Sequence, residues 1–260
     1  MNVTIDQIYV INLERRPDRL AHFMTECKRE NIPLDRLQVW KAVDGQSYQF
    51  TDEERALFQH SDLAIDTDTG RGCMGNQLSH LQILKDIIQH GHRQCLIFQD
   101  DVKLGSSFWP HVQCVSAEMK MMEAPFVWIG LHQLAIGSYF EEFDLRRDDR
   151  SMYLDGVPLT PHIGRLHAHV NPASLAYLVS LDGASSYVQH LRDHNVQCAT
   201  DKNYRAYLLE RDSFYTSVPV LCTGNATFRS DIFLYDDHAV TRDLLDALDE
   251  MIEIVGDKTK

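Results

Sequence analysis

Two short runs in this chain are apolar at every position. Ile8-Tyr9-Val10-Ile11 and Leu96-Ile97-Phe98 show no alternation, so a strand built from either must bury both of its faces. Such strands lie inside a sheet that is covered on both sides. Around them the pattern switches to helical spacing. Pro17 suits the first turn of a helix, and Leu20, Phe23, Met24 and Cys27 then fall on one face. The chain therefore opens strand, basic loop, helix, with 12–16 in the loop.

The same reading continues downstream. A second strand is expected over 37–43. Thr51-Asp52-Glu53-Glu54 reads as a capping box before a short helix, and 61–69 as an acidic loop. Leu78, Leu81, Leu84 and Ile88 mark an amphipathic helix that stops near Gly91. After the strand ending in Asp100-Asp101 come a helix through Val112, Val115, Met119 and Met122 and a strand over 126–131. The polar, weakly patterned stretch 141–165 has the character of a substrate loop. Alternation returns over 166–170, and 174–180 is β-prone. Asp182 is placed to cap a helix bearing Tyr187, Val188 and Leu191, a further helix begins near Asp201, and 214–222 reads as the last strand. Val240, Leu244, Leu248, Met251 and Val255 give an amphipathic helix over 236–260. Asp236 and Asp237 stand at its start, where negative charge suits the helix dipole, and this explains Asp236-Asp237-His238 better than a metal cluster does. Alternating strands and helices predict an α/β fold with a mostly parallel sheet between helices, as a single domain.

At 260 residues with 44% hydrophobic content, the chain can fill a full core. A net charge of -13 argues against nucleic acid as a partner, so an anionic substrate needs a local cationic pocket or a metal. The six cysteines form no C-x-x-C pair and several lie in apolar segments, which predicts buried free thiols in a reducing compartment. The opening Met1-Asn2-Val3-Thr4-Ile5-Asp6 lacks the regions of a signal peptide. No apolar run reaches the roughly 20 residues of a membrane span. The expectation is a cytoplasmic protein, with peripheral docking at a membrane left open.

The chemistry concentrates where Leu96-Ile97-Phe98-Gln99 runs into Asp100-Asp101. Adjacent carboxylates at a strand end repel each other and call for a cation; hard oxygen ligands suit Mg²⁺ or Mn²⁺ and, through it, a diphosphate. The same pair would also fit a surface turn capping a helix near Ser106. Arg15, Arg16 and Arg19 cluster after the first strand, where open α/β sheets bind ligands, and guanidinium forks suit phosphate. One of them is assigned to ligand and the others to local pairs with Glu14 or Asp18. Gly70-Arg71-Gly72-Cys73-Met74-Gly75 satisfies G-x-G-x-x-G but follows an acidic loop instead of a strand, so a dinucleotide site is not expected. What remains is a glycine-rich helix entry whose backbone N–H groups could face an anion. Ser79-His80 lies beside an apolar stripe, where a lone histidine is more often a hydrogen-bonded packing residue than a catalyst, and His167 and His169 share one strand face, a spacing that fits either a metal ligand or a polar strand surface. No nucleophile elbow, Walker loop or H-E-x-x-H is present.

Three segments together resemble glycosyltransferase family 25, the lipopolysaccharide and collagen galactosyltransferases. They are Ile8-Tyr9-Val10-Ile11-Asn12-Leu13-Glu14-Arg15-Arg16-Pro17-Asp18-Arg19, Gly72-Cys73-Met74-Gly75-Asn76-Gln77-Leu78-Ser79-His80-Leu81, and Leu96 to Val102, with weaker echoes at 174–184, Asp201 and Ser230-Asp231-Ile232. The resemblance implies a GT-A-type, Rossmann-like domain over 1–235, with a nucleotide-binding half at about 1–131 and an acceptor half at about 132–235. It implies a UDP-sugar donor and Mn²⁺ or Mg²⁺ at Asp101 with Asp100, the third ligand being sought at His169, His167 or a later residue. Asn12, Leu13, Arg15, Arg19, Ser79 and His80 would lie near the nucleotide, with Ala42, Val43 and Asp44 along the base and ribose. Where the family usually carries an acidic residue and a cysteine, this chain has Gln99 and Asn76. The expected activity is an inverting transfer of galactose or glucose to a hydroxyl of a glycan, as in lipopolysaccharide biosynthesis, or of a hydroxylated protein. Asp201 is the expected base and Asp231 its rival. The alternatives are a metal-dependent phosphoesterase and a non-catalytic nucleotide-sugar-binding homologue.

Overall fold

A computed structural model of the chain describes residues 5–131, 159–166, 168, 170, 173–225, 228, 231 and 232. The expected helix over 236–260, Asp236-Asp237-His238, His167, His169, Ser230 and most of the stretch 141–165 lie outside the described residues.

The first apolar run becomes β1 (Gln7–Asn12) and the second becomes β3 (Gln94–Gln99). They pair in parallel, and β2 (Leu37–Lys41) pairs in parallel on the other side of β1. Completing the main sheet are β5 (Phe126–Trp128), β7 (Ile163–Arg165), β8 (Ala176–Ser180) and β9 (Tyr215–Ser217), in the order β2-β1-β3-β8-β5-β9-β7. Only β8 and β7 run against the other strands, so the sheet is mixed but mostly of one direction. A small second sheet, β4 (Val102–Leu104), β10 (Cys222–Gly224) and β6 (Gly130–Leu131), sits with β10 in the middle.

The runs without alternation are explained by what covers them. Tyr9, Ile11, Cys95 and Ile97 face one core with Leu78, Leu81, Leu84 and Ile87 of α3 (Asp68–His90). Ile8, Val10, Leu96 and Phe98 face a second core with Phe23 and Cys27 of α1 (Pro17–Arg29) and Val112, Val115 and Met119 of α4 (Phe108–Met121). The first core is completed by α5 (Leu181–His194) and α6 (Thr200–Glu210), which carry Tyr187, Tyr204 and Tyr207 into an aromatic cluster with Phe126, Trp128 and Tyr177. Ile88 stands at the solvent margin while Ile87 is buried, which moves the expected apolar stripe of α3 by one residue.

Several local signals act as expected. Thr51 and Glu54 form the reciprocal capping box of α2 (Asp52–Ala56), and Gly91 ends α3 in the left-handed region. Four cysteines are buried free thiols, Cys198 is partly exposed and Cys114 exposed. Other signals are displaced. Ser180, not Asp182, caps α5, its hydroxyl accepting from the Gly183 N–H. The strands expected over 126–131 and 214–222 each split into two pieces that enter different sheets. The alternating segment near 166 yields its strand upstream, at β7.

The glycine motif receives a different explanation. Gly70 to Gly75 lie inside the first turns of α3, whose cap is Thr67, and the Gly70 N–H is already taken by the Thr67 hydroxyl at 3.1 Å. The glycines serve backbone contact instead of anion binding. A Cβ at Gly75 would overlap the Val43 carbonyl oxygen, and one at Gly70 the Ala64 carbonyl oxygen. The helix thus lies directly on the loop that follows β2. Gly75→Ala should cost about 1–3 kcal/mol of overpacking and push residues 43–45 outward, read as a lower urea midpoint and as altered amide shifts in that loop; an unchanged midpoint would show the contact to be slack.

Candidate active site

An open cleft lies beyond the carboxyl ends of β1, β2 and β3. Its walls come from four places. The loop after β1 and the first turn of α1 supply Leu13, Arg15 and Arg19. The loop after β2 supplies Ala42 to Gln46, α3 supplies Gly72, Asn76 and Ser79, and the end of β3 supplies Gln99, Asp100 and Asp101. Asp231 and Ile232 close the remaining side. Strand ends of this direction deliver loops to one edge, which is where open α/β sheets hold ligands.

The carboxylate pair is real but unequal. Asp100 is buried and accepts from the Asn12 amide at 2.6 Å. Arg19, itself buried, reaches Asp100 at 3.4 Å, Asp101 at 3.2 Å and Asp231 at 2.9 Å. Burial, with the Asp101 charge beside it, pushes the Asp100 carboxyl up to about 6 despite Arg19 and Asn12. Asp101 keeps Oδ1 buried with no hydrogen-bond partner. A buried carboxylate oxygen without a partner is costly unless a cation takes it. Together with Asp100 it forms a set of hard oxygen donors that fits Mg²⁺ or Mn²⁺.

Three guanidiniums converge on Asp231. Arg15 holds one carboxylate oxygen; Arg16 at 2.6 Å and Arg19 at 2.9 Å hold the other. Arg15 also bonds Asp44 at 2.8 Å, and those partners raise its affinity for its proton. Phe228 lies over Arg16 and Arg19, with the cations 5.7 and 5.6 Å from the ring centre, and Asn225 N–H donates to the Asp101 carbonyl at 2.6 Å. Phe228 and Asp231, beyond β10, are thereby drawn across the start of α1.

Most of the expected binding residues meet here: Leu13, Arg15, Arg19, Ala42, Val43, Asp44, Ser79, Asp100 and Asp101 all line the cleft. Asn12 stands behind it and acts through Asp100. Ser79 lines it, but its hydroxyl is engaged, accepting from the Val43 N–H at 2.8 Å and donating to the Gly75 carbonyl at 2.7 Å. His80 is not on the surface of the cleft. It is fully buried, paired with the Tyr177 hydroxyl at 2.7 Å, and burial lowers its imidazole to about 3, so it is neutral. Its role is support: its Nε2 lies 3.4 Å from the Gln99 amide nitrogen, which also donates to Ser174 at 2.8 Å and Asn76 at 3.3 Å. Asp201 opens α6 near the Cys73 and Cys198 thiols and does not line the cleft. Of the two expected bases, only Asp231 is there. Gly45, Gln46 and Ile232 line it unannounced. Asp44-Gly45 was a legible turn signal, whereas the contribution of Phe228 had none.

The sequence profile of glycosyltransferase family 25 (LPS biosynthesis protein) matches residues 5–202. A cattle (Bos taurus) protein described as probable inactive glycosyltransferase 25 family member 3 is 26% identical over 69% of this chain and 28% of its own. Procollagen galactosyltransferase 1 of zebrafish (Danio rerio) is 24% identical over 71% of this chain and 28% of its own. The chain thus spans under a third of the length of these two curated relatives. Among solved structures, apo mouse xyloside xylosyltransferase 1 aligns at a TM-score of 0.39 and 10% identity over 81% of this chain and 84% of that one, too loose a superposition to argue from.

The Asn12–Asp100 bond has a measurable consequence. Asn12→Ala removes a donor to the charged form, so the Asp100 carboxyl should titrate further above 6, by about one pH unit, in a ¹³C-detected carboxyl titration. An unmoved titration would remove Asn12 from the site.

Proposed function

The chain belongs to glycosyltransferase family 25, and from that premise we propose that the cleft binds a UDP-sugar with Mn²⁺ or Mg²⁺ and transfers its hexose, galactose or glucose, with inversion to a hydroxyl of a glycan or of a hydroxylated protein. The observation that carries this reading is the charge balance of the cleft. Asp44, Asp100, Asp101 and Asp231 line it against Arg15 and Arg19, so it has no surplus positive charge with which to attract a diphosphate. One divalent cation held by the Asp101 and Asp100 oxygens would cancel that deficit and give the diphosphate a positive partner. When bound, the cation would offset the charge that develops on the departing nucleotide.

The remaining work falls to this chain's own side chains. Arg15 and Arg19 take the diphosphate oxygens, and their forks suit that geometry. Asp44 accepts from the ribose hydroxyls, and the backbone at Ala42 and Val43 borders the base. Asp231 occupies the arginines in the meantime, as a carboxylate standing where phosphate would stand. Diphosphate binding draws the guanidiniums away and leaves Asp231 free to accept a proton. An acceptor hydroxyl then attacks the anomeric carbon from the face opposite the diphosphate. The new C–O bond forms as the bond to the diphosphate oxygen breaks, and the hydroxyl proton passes to Asp231. Asp201, away from the cleft, is the weaker candidate for this role.

A second reading has support of its own. Gln99 stands where the family usually has a charged ligand, and the cattle relative is described as probably inactive. A protein that binds a nucleotide sugar without turning it over would show the same cleft. A phosphoesterase reading is disfavoured: among the described residues no histidine lines the cleft.

The deciding experiment is a thermal-shift and turnover screen of UDP-sugars with and without Mn²⁺. Transfer is expected to require Mn²⁺; a donor that binds tightly but is never hydrolysed or transferred, whatever the acceptor, selects the non-catalytic reading. Asp101→Ala should abolish donor hydrolysis and transfer while leaving Tm near that of the parent, and turnover retained in this variant would end its assignment to the metal. Asp100 gives a pH signature as well. Its carboxyl binds a proton up to about 6 in the fold but only to 3.8 when unfolded. Without metal, the fold therefore loses stability from this group as pH rises from about 4 to about 6, on the order of 3 kcal/mol. Mn²⁺ should accordingly raise Tm more at about pH 7.5 than at about pH 5.

A further inference from the structure

At the end of the sheet opposite the cleft, three metal-binding side chains converge on the last turn of α3. Asp86 and His90 stand one turn apart, and His92 follows Gly91, whose left-handed φ of 66° ends the helix. The turn is pinned by the His92 N–H, which donates to the Ile87 carbonyl at 3.1 Å. It folds the His92 ring back onto His90, with ring centres 5.6 Å apart and planes within 20°. One ligand atom from each of Asp86, His90 and His92 lies within 4.8 Å of the others.

The separation of Asp86 and His90 suits a small tetrahedral ion. Two donors bound to zinc at about 2.0–2.1 Å stand about 3.4 Å apart, and His90 Nδ1 lies 3.3 Å from Asp86 Oδ1. The same nitrogen lies 3.0 Å from the Asp86 carbonyl oxygen, a contact the metal would replace. The carboxylate is oriented from behind. Tyr9, fully buried in β1, donates its hydroxyl to Asp86 Oδ2 at 2.6 Å, leaving Oδ1 for the ion. Such outer partners set the direction of metal-ligating carboxylates. The negative end of the long α3 dipole adds to the attraction for a cation. Two imidazoles with one carboxylate select Zn²⁺, Co²⁺ or Ni²⁺ over Mg²⁺ and Mn²⁺.

The geometry points to a transition-metal site of the zinc class at Asp86, His90 and His92, with water as fourth ligand and Tyr9 as the orienting group. None of these residues lines the cleft, so the ion takes no part in the chemistry proposed there. It ties the end of α3 to β1 and to the approach of β3.

The test uses the untagged full-length chain carrying Asp101→Ala, so that the cleft cannot supply the ligands. Titration with Zn²⁺ should give one ion per chain, and Co²⁺ should give the visible absorption of a tetrahedral site. His90→Ala and His92→Ala should each lower affinity at least about tenfold and remove the cobalt band. Tyr9→Phe should weaken binding by a similar or smaller factor. His190→Ala, which breaks the stacked His190–His194 pair on α5, should change nothing. Affinity unaltered by both His90→Ala and His92→Ala, or lost equally in His190→Ala, would overturn the proposal. Circular dichroism of each variant separates lost ligation from lost fold.

Discussion

The cleft is organised around one buried guanidinium. Arg19 touches Asp100, Asp101 and Asp231 at once, and those residues come from the end of β3 and from the segment beyond β10. Charges taken out of water are costly unless each finds its counterpart. Arg19 keeps Asp100 and Asp231 if Asp101 is lost, whereas loss of Arg19 itself would leave three carboxylates without their shared counterion in a poorly solvated place. The ionic cluster thus fixes where three separate stretches of backbone meet. The same groups that would meet a substrate are the ones that fasten the site together without it.

This economy rests on a sheet made dry on both sides. Because the middles of β1, at 8–11, and of β3, at 95–98, are apolar throughout and are covered by α3 on one face and by α1 and α4 on the other, their carboxyl ends emerge in a fixed register. Close backbone contact extends that rigidity to the rim. Gly70 and Gly75 let α3 lie against carbonyl groups of neighbouring loops, with no side chain between. Ser79 adds a hydroxyl bridge from α3 to the Val43 N–H. The floor of the cleft is held by main-chain contacts, while its chemistry is carried by side chains at the edge.

Much of this was legible in the sequence, and the exceptions have physical causes. Uninterrupted apolar runs and helical stripes identified β1, β3, α1 and α3 because burial on two faces, or along one stripe, leaves a direct imprint on composition. The cleft residues near 12–19 and 99–101 were legible because strand ends in such a fold deliver polar residues to one edge, whereas those at 42–44 came only from the family resemblance. The spacing of His80 beside an apolar stripe reads as a packing residue, and it meets the Tyr177 hydroxyl in the core; only the family resemblance set it near the nucleotide. Asp201 carries no local signal for or against a site, because an acidic residue in the first turn of a helix is favoured by the helix alone. The grip of Arg15, Arg16 and Arg19 on Asp231 joins positions more than two hundred residues apart, and no local pattern encodes such a pairing. The breaks at Ile129 and after Ser217, which send consecutive residues into different sheets, depend on which neighbour is available in space.

The reversed direction of β8 has a consequence for how such a molecule diversifies. Since β8 runs against β3, it is the entry of β8, not its exit, that arrives beside the cleft, where Ser174 meets Gln99 and the Leu175 carbonyl accepts from the Gln99 N–H. Residues 173–175, just ahead of β8, thus stand at the edge of the cleft, while the helix that follows β8 is carried to the far end. Changes at that entry can remodel the edge of the cleft without disturbing β1, β2 and β3, whose ends carry most of its lining. Edge and base can then diverge at different speeds on one scaffold.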